Sequence, residues 1–239
     1  IGRRSFSKLE YYGIKTAWDL TQKSESWVRR QLTVTGVRTW KELRGESCVE
    51  IEDLPQKQSI CTSRSFADGG LMEYSRVEEA VANFAAECVR KLRRQRSCCT
   101  EITVFAHTSR FRMDGPQHCI NRTVHMPVPT ADLQEIVAAA VGALRMEWCN
   151  DEHFSYKKAG VIVWNICPDT AIQTNLFDEV NRERQARLAA AVDAINRKNG
   201  HNTVKIAVQG TDDDGWHLKC EHISRQYTTN LSEVIRVKS

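Results

Sequence analysis

Between Lys57 and Pro168 two helix-period stripes of apolar residues are interleaved with strand-period segments, and this order restricts the fold more than any other feature. A helix from Arg76 to Arg96 would align Val77, Val81, Phe84, Cys88 and Leu92 on one side. A second helix, capped by Thr130, would align Leu133, Val137, Val141, Leu144 and Trp148. Strand patterns cover Ser59–Phe66, Cys99–Ser109, Arg122–Val128 and Ala159–Ile166, with a turn-rich loop at Asp114-Gly115-Pro116. The order βαββαβ predicts an α+β domain: two helices on one face of a four-stranded antiparallel sheet. Both stripes are buried that way, and the other sheet face is left open.

The flanks read differently. Residues 1–54 form short helices over Ser5–Tyr11, Thr16–Leu20, Glu25–Leu32 and Arg38–Arg44, broken at Gly13, Gly36 and Gly45, with Trp18, Trp27 and Trp40 as packing residues. Pro55 starts a new pattern after the linker Asp53–Gln56, because it pushes its predecessor out of helical geometry. The sheet domain spans 55–169, a short peptide 170–178, and a small α+β tail 179–239. The tail carries a polar helix Arg182–Lys198 ended by Asn199-Gly200, an alternating strand Thr203–Val208, a turn at Asp212–Gly215 and a return to Cys220.

No run of eighteen uncharged apolar residues is present, so no membrane span is expected. The net charge of +4 is too small to indicate a nucleic-acid partner by itself. Nine cysteines without a C-x-x-C pair read as reduced, mostly packed thiols of a cytosolic protein rather than as a metal site or catalytic thiol.

Three groups of residues could carry binding. Ile1-Gly2-Arg3-Arg4 opens a helix, where backbone N–H groups beside Gly2 can meet a phosphate and Arg3 and Arg4 add charge; an ordinary helix-start glycine reads the same. Ser63-Arg64-Ser65, Thr108-Ser109-Arg110, Arg122-Thr123 and His125 on an open sheet would suit phosphates, or form a solvated polar face. Not counted among them are the cations Arg90, Lys91, Arg93, Arg94 and Arg96, which end a helix where its dipole favours them without a ligand and are read as structural. The third group is Gln173-Thr174-Asn175-Leu176-Phe177. Two adjacent large apolar side chains behind a glutamine, outside any obvious core, suit a docking peptide or an interdomain contact. Asp212–Asp214 beside Gly215 reads as a turn rather than a metal site, and His107, His125 and His217 form no catalytic constellation.

Taken in order, these motifs resemble the C-terminal part of the UmuC-type branch of Y-family translesion DNA polymerases. The resemblance rests on Ile1–Leu9 and Gly13–Leu20, similar to the thumb, and Leu43–Glu46 at its exit. It rests further on Ser63–Phe66 and Tyr156–Val161, similar to first and last strands of the little finger. Gln173–Asp178, QTNLFD, is similar to the family's sliding-clamp motif, with Gln173, Asn175, Leu176 and Phe177 as contacts; Tyr227–Thr229 and Ile235–Lys238 resemble the branch's tail. The resemblance implies a bacterial, cytoplasmic protein acting on primer-template DNA in SOS repair and mutagenesis. Its partners would be the β sliding clamp, a cleaved UmuD dimer and RecA. Mg²⁺ and the catalytic carboxylates would belong to a palm domain upstream of Ile1, so this portion would hold and tether DNA without making bonds. The competing readings are a stand-alone DNA-binding clamp adaptor and an unrelated ferredoxin-like interaction protein.

Overall fold

A computed structural model describes residues 1–48, 57–67, 69–111, 115–149, 153–170, 172, 178, 180–200, 202–211 and 223–235. The chain divides into two compact units, Ile1–Pro55 and Gln56–Ser239.

The first unit is helical: α1 (Arg3–Tyr11), α2 (Ala17–Thr21) and α3 (Glu25–Leu43). Its core is Leu9, Ile14, Leu20, Val28, Val37 and Trp40. Helix α2 begins with a capping box in which Thr16 and Asp19 exchange side-chain and backbone hydrogen bonds. The predicted break at Gly36 lies elsewhere. Helix α3 is interrupted at Thr33, with φ 65° and ψ −167°, while Gly36 is helical and lies against Leu32. The β-branched run Thr33-Val34-Thr35 disfavours a continuous helix at that turn. Trp18 is not a packing residue either, being 72% exposed, whereas Trp40 is buried and Trp27 packs against the core.

The second unit is α+β. Strands β1 (Ile60–Ser65), β2 (Ser97–Thr108), β3 (Cys119–Thr130) and β4 (Tyr156–Pro168) form one antiparallel sheet in the order β1-β4-β2-β3. Helices α4 (Tyr74–Arg94) and α5 (Leu133–Glu147) cover one face. The α4 stripe Val77, Val81, Phe84, Cys88 and Leu92 is fully buried, because a 3.6-residue period keeps these positions on the sheet side. Asp132, not Thr130, is the N-cap of α5: its carboxylate accepts from the backbone N–H of Gln134 and Glu135 at 2.9 and 3.0 Å. Thr130 instead ends β3 and bonds to Asp132 N–H and Glu135.

Helix α6 (Arg182–Asn199) follows, then a 3-10 turn at Ala207–Gln209 where the sequence pattern predicts strand. Ile206 and Val208 pack against the main core, so their alternation comes from contact with a helix, not from a sheet ladder. The proposed return strand to Cys220 lies outside the described residues, as do Asp212–Asp214 and His217.

Candidate nucleic-acid interface

Register settles which strand residues look away from the helices. Ile102, Val104 and Ala106 of β2 are buried under the helices, so the intervening Glu101, Thr103, Phe105 and His107 take the open face. Pairing carries the assignment outward: Thr103 opposes Thr123 and Ile162, Phe105 opposes Asn121 and Gly160, Glu101 opposes His125 and Trp164. On β1, Ser63 opposes Gly160 and Ser65 opposes Lys158.

The open face is therefore a mixed surface. Its centre is apolar. A Cβ at Gly160 would fall 2.5 Å from Phe105 Cζ and 2.4 Å from Ser63 Cβ, so the missing side chain leaves room for the Phe105 ring. Trp164 donates its indole N–H to Thr103 Oγ1 at 3.1 Å, and the Thr103 and Thr123 hydroxyls lie 2.8 Å apart. Around this centre stand hydroxyls, Asn121, His125 and the cation Lys158. Trp164 remains 40% exposed although it is hydrogen-bonded.

Not all the residues singled out in the sequence share this face. Ser63, Ser65, Thr123 and His125 do. Arg64 and Arg122 do not: Arg64 opposes buried Ala159, and Arg122 opposes buried Val104 and pairs with Glu147 of α5 at 3.0 Å. Alternation separates each from its neighbours, because successive strand side chains point to opposite faces. Thr108 is buried and fastens the β2–β3 turn. Its Oγ1 donates to Gln117 Oε1 at 3.0 Å and accepts from His118 N–H at 3.1 Å. Alternation from Ile102, Val104 and Ala106 places that hydroxyl on the helix side, and a ladder shift beside it pairs Thr108 with buried Tyr156. Ser109 is half-buried and Arg110 is exposed at the same turn.

Lys158, Phe105, Asn121 and Trp164 are among the open-face residues that the sequence reading missed. Their signal was present: in Tyr156-Lys157-Lys158-Ala159-Gly160-Val161 a strand period places Lys158 with Gly160, opposite Ala159 and Val161.

In the helical unit, Gly2 is the N-cap of α1 and accepts from Phe6 N–H at 2.9 Å. A Cβ there would meet nothing within 4 Å, and Arg3 and Arg4 are exposed beside it. Gln173–Phe177 lie outside the described residues. What brackets them is described. Asp169 N–H donates to Arg96 O at 3.1 Å before them. After them Asp178 accepts from Arg182 at 2.7 and 3.1 Å, and Arg182 also donates to Glu135 at 2.9 and 2.7 Å. Arg182 holds the Asp178 carboxyl below its ordinary range.

Nucleophilic chemistry finds no support in the buried thiols. Burial pushes Cys88 and Cys98 up to about 11 and Cys99 up to about 12, so they stay protonated at neutral pH. No helix among the described residues is long and apolar enough to cross a membrane.

A half-open antiparallel sheet backed by two helices, preceded by a small helical unit and followed by a tail packed on α4, defines the class. The chain belongs to the impB/mucB/samB family, whose C-terminal domain matches residues 57–176. Residues 186–237 match a domain of unknown function, DUF4113. Over its whole length the chain is 38% identical to Protein UmuC of Salmonella typhimurium, covering 56% of that protein. It is 35% identical over 98% of its length to Protein ImpB of Salmonella typhimurium, covering 54% of it. A more distant relative is DNA polymerase IV of Clostridium acetobutylicum, 20% identical over 87% of this chain and 50% of that one. The chain thus spans about half the length of the curated relatives it matches.

Proposed function

We propose that this chain is the DNA-gripping and clamp-tethering C-terminal part of an error-prone translesion DNA polymerase acting in SOS repair. The observation that carries the reading is the open sheet face, whose hydroxyls, Asn121, His125 and Lys158 can contact phosphates and sugars while Phe105 and Trp164 give it an apolar centre. Contacts of this kind hold a duplex without reading its sequence, as copying past damaged bases requires. Likeness to a protein named DNA polymerase IV supports the same reading.

In this reading the N-terminus of α1, with Gly2, Arg3 and Arg4, grips the DNA backbone close to the primer terminus. Gln173, Asn175, Leu176 and Phe177 dock into the β sliding clamp, and Asp169 and Asp178 fasten the chain on either side of them. Tethering raises the local concentration of the polymerase at a stalled primer, so a weak peptide suffices. The catalytic step and its metal ions belong to the remainder of the polymerase.

The test is primer-template binding by this chain across a salt series. Affinity should fall linearly with salt on logarithmic axes, in proportion to the number of phosphates neutralised. Binding that is absent, or indifferent to salt, would overturn the reading.

A further inference from the structure

Against α4 lies a cleft of about 810 Å³, bordered by Thr62 and Arg64 of β1 and, on its far wall, by α6 and the segment leading to Gln209. Six cations line it: Arg64, Arg90, Lys91, Arg93, Arg94 and Arg197. Only two carboxylates do, Glu87 and Asp193. The lining therefore carries four net positive charges, equal to the formal charge of +4 of the whole chain, and everything outside the cleft is electrically balanced.

The two carboxylates are already engaged. Glu87 accepts from Arg90 at 2.8 and 2.5 Å and lies 3.7 Å from Lys91, and Asp193 pairs with Arg93 at 3.1 Å. Arg94 and Arg197 come from opposite walls, are exposed, and have no ion-pair partner among the described residues. Each sits in the last turn of its helix, where the helix dipole favours a cation. That explains either arginine alone. It does not explain two like-charged helix ends converging on one cleft, which costs mutual repulsion unless an anion lies between them.

We propose that this cleft docks an acidic protein segment, with carboxylates forked by Arg94 and Arg197 and an aliphatic side chain between them. Guanidinium forks match carboxylates bidentately, and Arg clusters are a recurrent way of reading acidic motifs. Leu133, Val192 and Val204 supply apolar lining for the anchor. A single-stranded nucleic acid suits the cleft less well. Its grooves use exposed aromatics to stack bases, and the one aromatic in the lining, Phe84, is 2% exposed. The cleft lies on the opposite side of the sheet from the open face, so DNA held there leaves it accessible.

The test uses the full chain and three fluorescein-labelled probes in an anisotropy titration: a peptide of Glu and Asp flanking one Leu, its Gln/Asn counterpart, and an oligo-dT of matched charge. The acidic peptide should bind at least about tenfold tighter than either other probe, the scale of a lost charged contact. Arg94→Glu with Arg197→Glu should remove that preference, while Arg122→Ala, outside the cleft and off the open face, leaves it intact. The milder pair Arg94→Gln with Arg197→Gln, with an unchanged melting curve, gives the same answer should the charge reversal disturb folding. Peptide binding indifferent to both pairs would overturn the proposal, and so would tighter binding of oligo-dT that the same variants abolish.

Discussion

Asn83 and Gln209, 126 positions apart, bond reciprocally in a buried contact: Asn83 Nδ2 donates to Gln209 O at 2.8 Å, and Gln209 Nε2 donates to Asn83 Oδ1 at 3.2 Å. Gln209 Oε1 also accepts from Ile206 N–H at 3.0 Å, so one amide closes the 3-10 turn and joins it to α4. Beyond it, Gly210 has φ +67° and runs so close to Glu79 that a Cβ would come 2.5 Å from its carboxyl carbon. Replacing Asn83 by Leu leaves polar groups of Gln209 buried without partners, a cost of about 1–3 kcal/mol. Hydrogen exchange should then rise selectively over residues 204–210, with the sheet amides little changed.

Asp178 and Arg182 give the tail an acid sensitivity. The hydrogen bonds from Arg182 hold the Asp178 carboxyl below its ordinary 3.8. A depressed carboxyl adds stability that is fully present above the ordinary value and is lost as pH falls through the lowered one. The start of α6 should therefore loosen only below pH 3.8, followed by the carboxyl carbon shift of Asp178. Arg182→Met should move that titration up toward the ordinary value.

The open face and the helix side make opposite predictions for two cations. Lys158→Glu should weaken primer-template binding and, by removing about one phosphate contact, lower the salt slope by about one. Arg122→Ala removes only the ion pair to Glu147 and should leave affinity within about twofold, as exposed pairs contribute little.

The thiols should divide by burial. Cys61 and Cys119 are exposed, while Cys88, Cys98 and Cys99 are buried with raised proton affinity. A disulfide reagent at neutral pH should label the first two quickly. The other three should react only as the chain unfolds, which mass spectrometry of timed samples resolves.

Tethering predicts a separable defect. Gln173→Ala combined with Leu176→Ala and Phe177→Ala should lower clamp affinity by about a hundredfold or more, since paired apolar anchors carry most of such a contact. Primer-template affinity should stay as before, and calorimetry with the clamp measures the difference.

The order of elements in the sheet domain was legible because the helix stripes are long and strongly periodic. Val77, Val81, Phe84, Cys88 and Leu92 are all buried as their spacing indicates. Facing was less legible where neighbouring residues were read together: Arg122-Thr123 and Ser63-Arg64-Ser65 look like clusters in one dimension but are split by the pleat. Thr203–Val208 misled for another reason. Ile206 and Val208 alternate as a strand would, yet their partner is the outer side of α4, and nothing local in the chain announces a contact made to Asn83. Thr130 and Asp132 compete for the start of α5, and only geometry shows that the aspartate meets the free N–H groups.

Strand β4 lies between β1 and β2, although it is the last of the four to leave the ribosome. Until residues 156–168 emerge, β1 has no neighbour and the plate consists of the β2–β3 hairpin alone. Synthesis therefore imposes a sequence in time: the open face is completed by a stretch of chain that ends shortly before Gln173. A polypeptide cut short before that stretch would lack both the finished plate and the Gln173–Phe177 peptide, and a nascent one that has exposed the peptide already contains the residues needed to complete the plate.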